Sequence, residues 1–129
     1  MSDAVRGVVF AHSAMAEGMV GAVRAITGLP ADALIPVSNE EGAPEVLEVR
    51  LAELCGDQPT VVFTDLMGSS CNTLAAVMAR GTAHRRVVSG VNLPMLIEFA
   101  FNRHKPLADL VERVVLQGRQ GIQAQGRGA

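Results

Sequence analysis

Four short apolar runs, each closed by a polar residue and each followed by helical periodicity, constrain this chain more than any other feature. Val5–Ala11, Ala33–Val37, Thr60–Thr64 and Arg86–Ser89 are rich in β-branched residues and too short for helices. The first has no clean polar alternation, which suits a strand buried on both faces. Between the runs the period changes. Met15, Met19, Ala22, Val23 and Ile26 recur at helical spacing over Ala14–Ile26, and Gly28-Leu29-Pro30 supplies the stop. Pro44 stands at a first helical turn, continued by Val46, Leu47, Val49, Leu51 and Leu54 and ended at Gly56. A third helix is predicted from Asn72 to Ala79, a fourth from the Gly90–Pro94 opening through Asn102, and a fifth from Leu107 to Val115. In the Gly118–Gln125 tail, Ile122 and Gln123 are candidates for a short fifth strand.

Strand and helix in alternation predict an α/β three-layer sandwich, with a central, mostly parallel sheet and helices on both faces. The 129 residues suit one domain, 1–129, around one core. With 49% hydrophobic and 19% charged residues the chain reads as globular. Its net charge of −2 and lack of a basic stripe argue against a nucleic-acid partner. No stretch is long and apolar enough for a membrane span, and no secretory signal precedes the first strand, so a cytoplasmic location is expected. Cys55 and Cys71 are far apart and lack metal-type spacing, so they read as two reduced structural thiols. No metal and no organic cofactor is expected.

In open parallel sheets, ligands collect outside the carboxyl ends of the strands. Three loops are predicted to meet there: His12 ends the first strand, Asp65 ends the third, and Gly90–Pro94 follows the fourth. A lone histidine in such a chain is often a core residue, and an aspartate at this place often closes a turn or caps a helix. As a pair they do more. A carboxylate that accepts Nδ1–H of His12 fixes the tautomer and leaves Nε2 with its lone pair as a nucleophile. Ser13, at the start of the first helix, and Gly68, Ser69 and Ser70, at the start of the third, are the candidate phosphate-binding residues, because helix starts present N–H groups to anions. The latter three also read as an ordinary turn and N-cap.

These segments, "VVFAHSAMAEGMVGAVRAITG", "VVFTDLMGSSCNTLAAVMA" and "VVSGVNLPMLIEFA", resemble the mannose-family enzyme IIA component of the bacterial phosphoenolpyruvate-dependent sugar phosphotransferase system. The likeness spans nearly the whole chain. It implies that His12 is the phosphorylated histidine, Asp65 its hydrogen-bonding partner and Ser70 a phosphate-binding hydroxyl. It also implies a donor, the histidine-containing phosphocarrier protein, and an acceptor, an enzyme IIB, with at most peripheral contact to a membrane permease. A homodimer is implied as well, with an antiparallel last strand exchanged between subunits, which would be the Gly118–Gln125 tail. Two departures stand out: a Trp-Gly-Gly-Ser-Pro-like stretch is replaced by Leu66-Met67-Gly68-Ser69-Ser70-Cys71, and the glycine that often follows the histidine is Ser13.

Other readings fit less well. A receiver-type phosphoacceptor Asp65 needs acidic residues near the end of strand one to hold magnesium, and Phe10-Ala11-His12 stands there. A flavin or nucleotide carrier lacks its glycine fingerprint and any Trp or Tyr. Serine hydrolysis at Ser69 or Ser70 lacks the second glycine of a nucleophile elbow. A regulatory phosphorylation-state sensor, or the phosphotransfer subunit of dihydroxyacetone kinase, would keep the same histidine. Met15, Met19, Met67 and Met95 read as core filler or as a soft rim around the site. His84 and His104 are given no role.

Overall fold

The structure, a computed structural model, describes residues 4–126. Strands β1 (Arg6–Ala11), β2 (Leu34–Ser38), β3 (Thr60–Thr64) and β4 (Arg85–Ser89) alternate with helices α1 (Met15–Thr27), α2 (Pro44–Cys55), α3 (Ser70–Ala79), α4 (Leu93–Phe101) and α5 (Leu107–Gln120). All pairings are parallel, in the order β2-β1-β3-β4.

The two central strands explain why their sequences lack polar alternation. In β1 and just before it, Val5, Val9 and Ala11 face one way, with Val61 and Phe63 of β3 beside them. They pack against Ala16, Val20 and Val23 of α1, Leu96 and Phe99 of α4, and Leu110 and Val114 of α5. Val8, Phe10 and Val62 face the other way, onto Leu47 and Leu51 of α2 and Cys71, Ala75 and Met78 of α3. Each face is apolar because each is covered. The rings of Phe63 and Phe99 meet edge to face, with centroids 5.4 Å apart.

Two connecting segments complete the described chain. The polar stretch after β2 is a single 3-10 turn, Asn39–Glu41, closed by a capping box in which the Ser38 hydroxyl and the Glu41 carboxylate satisfy each other's backbone N–H groups. The tail differs more. α5 runs on to Gln120 rather than ending at Val115, and residues 122–126 form neither helix nor strand. The antiparallel fifth strand is therefore absent among the described residues. Gly118, expected at the start of the tail, instead lies buried in α5 where α4 comes close: a Cβ there would stand 2.7 Å from Met95 Cε. The Gly118 carbonyl accepts a hydrogen bond from Asn92 Nδ2 at 2.9 Å.

Candidate functional site

β1 and β3 are neighbours at the centre of the sheet, and the chain winds outward from them in opposite directions, to β2 on one side and β4 on the other. That reversal opens a crevice at their carboxyl ends. His12 leaves β1 there, and Asp65 leaves β3, whose Thr64 pairs with Phe10. Sequence spacing of more than fifty residues thus becomes direct contact.

The Asp65 carboxylate is almost wholly buried, whereas the His12 side chain is 46% exposed. Oδ2 of Asp65 is hydrogen-bonded to Nδ1 of the His12 ring and also accepts the His12 backbone N–H at 3.1 Å. Oδ1 accepts the Ser69 hydroxyl and the Leu66 N–H, each at 2.8 Å. Burial on its own would raise the Asp65 carboxyl. The hydrogen bonds from the His12 ring, Ser69, Leu66 and the His12 backbone outweigh it and bring the carboxyl down to about 2. Asp65 is thus an ionised clamp that holds the ring from behind.

The other ring nitrogen points outward. His12 Nε2 lies 3.3 Å from the Ser70 hydroxyl, at the first residue of α3. α3 begins two residues earlier than its periodicity suggested, because Ser69 caps it by accepting the Asn72 N–H at 3.1 Å. The first-turn N–H groups of Ser70 and Cys71 have no acceptor among the described residues. Ser70 is therefore the candidate that faces His12 Nε2 and sits at an anion-receptive helix start.

The remaining candidates are differently employed. The Ser69 hydroxyl is committed to Asp65 and to its cap. The Gly68 N–H donates to Asn72 Oδ1 at 3.2 Å, with Gly68 in the left-handed region at φ 85° to turn the chain. The Ser13 N–H donates to Asn39 Oδ1 at 3.0 Å. Ser13 is the one non-glycine with positive φ among the described residues, at 55°. That conformation costs a side-chain-bearing residue about 1 kcal/mol, and it accounts physically for the glycine that often stands at this place in the family resembled.

Asn39 and Asn72 were missed by the sequence reading. Asn72 Nδ2 also donates to Thr64 Oγ1 at 3.1 Å, tying α3 to the end of β3. Asn39 follows β2, whose loop reaches the site because β2 is the neighbour of β1. The expected third loop is tied to the end of β3 rather than to the pair itself. Among the described residues, no hydrogen bond runs from residues 90–94 to His12 or Asp65; the Val91 N–H instead donates to the Thr64 carbonyl at 3.0 Å. Met67 and Met15 are exposed beside the site, at 82% and 37%, while Met95 is core. Cys71 is free and buried, with Sγ 3.9 Å from His12 Nδ1. Burial, with the nearby Asp65 charge, pushes its thiol up to about 11.

The family described as "PTS system fructose IIA component" (EIIA-man) matches residues 7–115. The sorbose-specific EIIA component of the phosphotransferase system from Klebsiella pneumoniae is 31% identical over 108 residues, covering 81% of this chain and 79% of that protein. The mannose-specific EIIAB component of Escherichia coli (strain K12) is 30% identical over 92 residues, 70% of this chain, and the chain spans only 28% of that relative's length. Among solved structures, the mannose/sorbose specific IIA subunit from Enterococcus faecalis superimposes with a TM-score of 0.83 over 98% of both chains, at 24% identity. The EIIA component from Streptococcus agalactiae gives a TM-score of 0.84 over 93% of this chain and 96% of its own, at 22% identity. The chain therefore belongs to the mannose-type (EIIA-man) family of phosphotransferase-system IIA components.

Proposed function

We propose that the protein is a cytoplasmic phosphocarrier of the sugar phosphotransferase system, which takes a phosphoryl group onto Nε2 of His12 from the histidine-containing phosphocarrier protein and hands it to an enzyme IIB. One observation carries this reading: an exposed imidazole whose Nδ1 is held by a buried carboxylate while its Nε2 faces the Ser70 hydroxyl at a helix start.

In the forward step the Nε2 lone pair attacks phosphorus in line. The bond between phosphorus and the donor's ring nitrogen breaks, and its electron pair returns to the donor imidazole. The His12 ring now carries phosphorus on Nε2 and a proton on Nδ1, and the Asp65 carboxylate balances the positive charge that develops. The Ser70 hydroxyl and the first N–H groups of α3 stabilise the phosphoryl oxygens. Onward transfer to the acceptor reverses these roles. Little else is needed beyond position and charge. Leu66 and Met67, both well exposed, and an apolar groove of about 500 Å³ lined by Phe10, Pro44, Leu47, Ser70 and Leu74 give partner proteins a soft surface beside the histidine.

The chain works as a homodimer on this reading. Among the described residues, β4 is a sheet edge with no neighbour beyond it, Ile122 is 75% exposed, and the tail leaves α5 unpaired.

Incubation with phosphoenolpyruvate, enzyme I and the phosphocarrier should label the wild type stoichiometrically and leave His12→Ala unlabelled with its circular dichroism intact. Equal labelling of the variant would place the acceptor elsewhere.

A further inference from the structure

His12, Asp65 and Cys71 bring three kinds of metal ligand to one point. A ring nitrogen, a carboxylate oxygen and the sulfur all lie within 4.8 Å of one another. Nδ1 is 3.9 Å from Sγ and in hydrogen-bond contact with Oδ2. In a tetrahedral zinc centre, bonds of about 2.0–2.3 Å set neighbouring ligand atoms roughly 3.5 Å apart, so small side-chain shifts suffice. The three come from the end of β1, the end of β3 and the first turn of α3, and Asp65 is pinned from its far side by Ser69 and Leu66.

We propose that Nδ1 of His12, the Asp65 carboxylate and the Cys71 thiolate bind a borderline divalent cation of the zinc type, and that its binding switches off phosphoryl acceptance. Mixed nitrogen, oxygen and sulfur donors suit zinc, whereas magnesium and calcium take oxygen. On binding, the cation displaces the thiol proton of Cys71 to solvent and takes the place of the Nδ1 proton, which passes by way of solvent to Nε2, so the neutral ring keeps its single proton. That nitrogen no longer has a lone pair to offer. Cation binding follows from the geometry alone, whereas the switch rests on the reading of His12 as acceptor. Ligand spacing in sequence gave no hint of such a site, because the chain brings these residues together only through its sheet.

The test uses Zn²⁺ and Co²⁺ on chelator-treated protein. Wild type should bind one Zn²⁺ in competition with a chromogenic chelator, and its Co²⁺ form should show a thiolate-to-metal charge-transfer band. Cys71→Ser should lose the band and bind Zn²⁺ at least about tenfold more weakly. His12→Ala, at an exposed position that tolerates the change, should also weaken binding. Absence of one-to-one binding by wild type, absence of the band, or equal binding by His12→Ala would overturn the site. With the phosphorylated phosphocarrier supplied preformed, one equivalent of Zn²⁺ should suppress transfer at least about tenfold, and chelator should restore it. Transfer unchanged by bound Zn²⁺ would overturn the switch. Zinc binding with no transfer even in chelator would leave the cation site standing and count against His12 as acceptor.

Discussion

At the scale of single residues, Asp65 carries two consequences. Its folded carboxyl, moved from the ordinary 3.8 down to about 2, binds protons less readily than in the unfolded chain. Its contribution to stability is therefore complete above the unfolded value and lost as pH falls through the folded one, which amounts to about 2 kcal/mol. Urea unfolding followed from about pH 5 down to about pH 2 should show wild type losing that much more stability than Asp65→Asn; parallel curves would mean that the hydrogen bonds do not hold the carboxylate. In the transfer proposed above, Asp65 orients the ring and balances its charge without taking phosphate. Asp65→Ala should accordingly slow phosphorylation by about a hundredfold while His12 remains the labelled residue. A rate like that of wild type would dissolve the pairing.

At the scale of elements, the helices and strands hold the site by close approach, and this is where sequence was least informative. Gly7 on β1 leaves room for α4: a Cβ there would lie 2.7 Å from both Leu34 Cδ1 and Phe99 Cζ. Gly7→Ala should cost about 1–3 kcal/mol, measurable as a lower urea midpoint; an unchanged midpoint would show that α4 can retreat. Asn92 caps α4 by accepting the Met95 N–H at 3.1 Å and also holds the Gly118 carbonyl, so Asn92→Ala should lower stability by about 1–2 kcal/mol. The four strands and the meeting of His12 with Asp65 were legible because apolar runs mark strands, and strand ends in this architecture converge. The reach of α5 was not, since Gly118 looks like a stop in one dimension and serves as a contact point in three. Asn39 and Cys71 were invisible for a related reason. Their roles depend on strand order and on the angle at which α3 starts, neither of which local pattern encodes.

At the scale of the whole molecule, winding outward from β1 and β3 creates one crevice, and everything assigned to chemistry stands on its rim. The unpaired edge of β4 and the tail beyond α5 carry the expected assembly. Truncation after Gly121 removes the tail without touching α5 and should convert a dimer to a monomer in sedimentation velocity; a dimer that survives would place the interface elsewhere. The central claim concerns one nitrogen of one ring. It is tested most directly by nitrogen NMR of ¹⁵N-histidine-labelled protein after transfer from the phosphocarrier. The account predicts phosphorus coupling on Nε2 of His12 with Nδ1 still protonated against Asp65. Phosphorus on Nδ1, or on no nitrogen of His12, would contradict it.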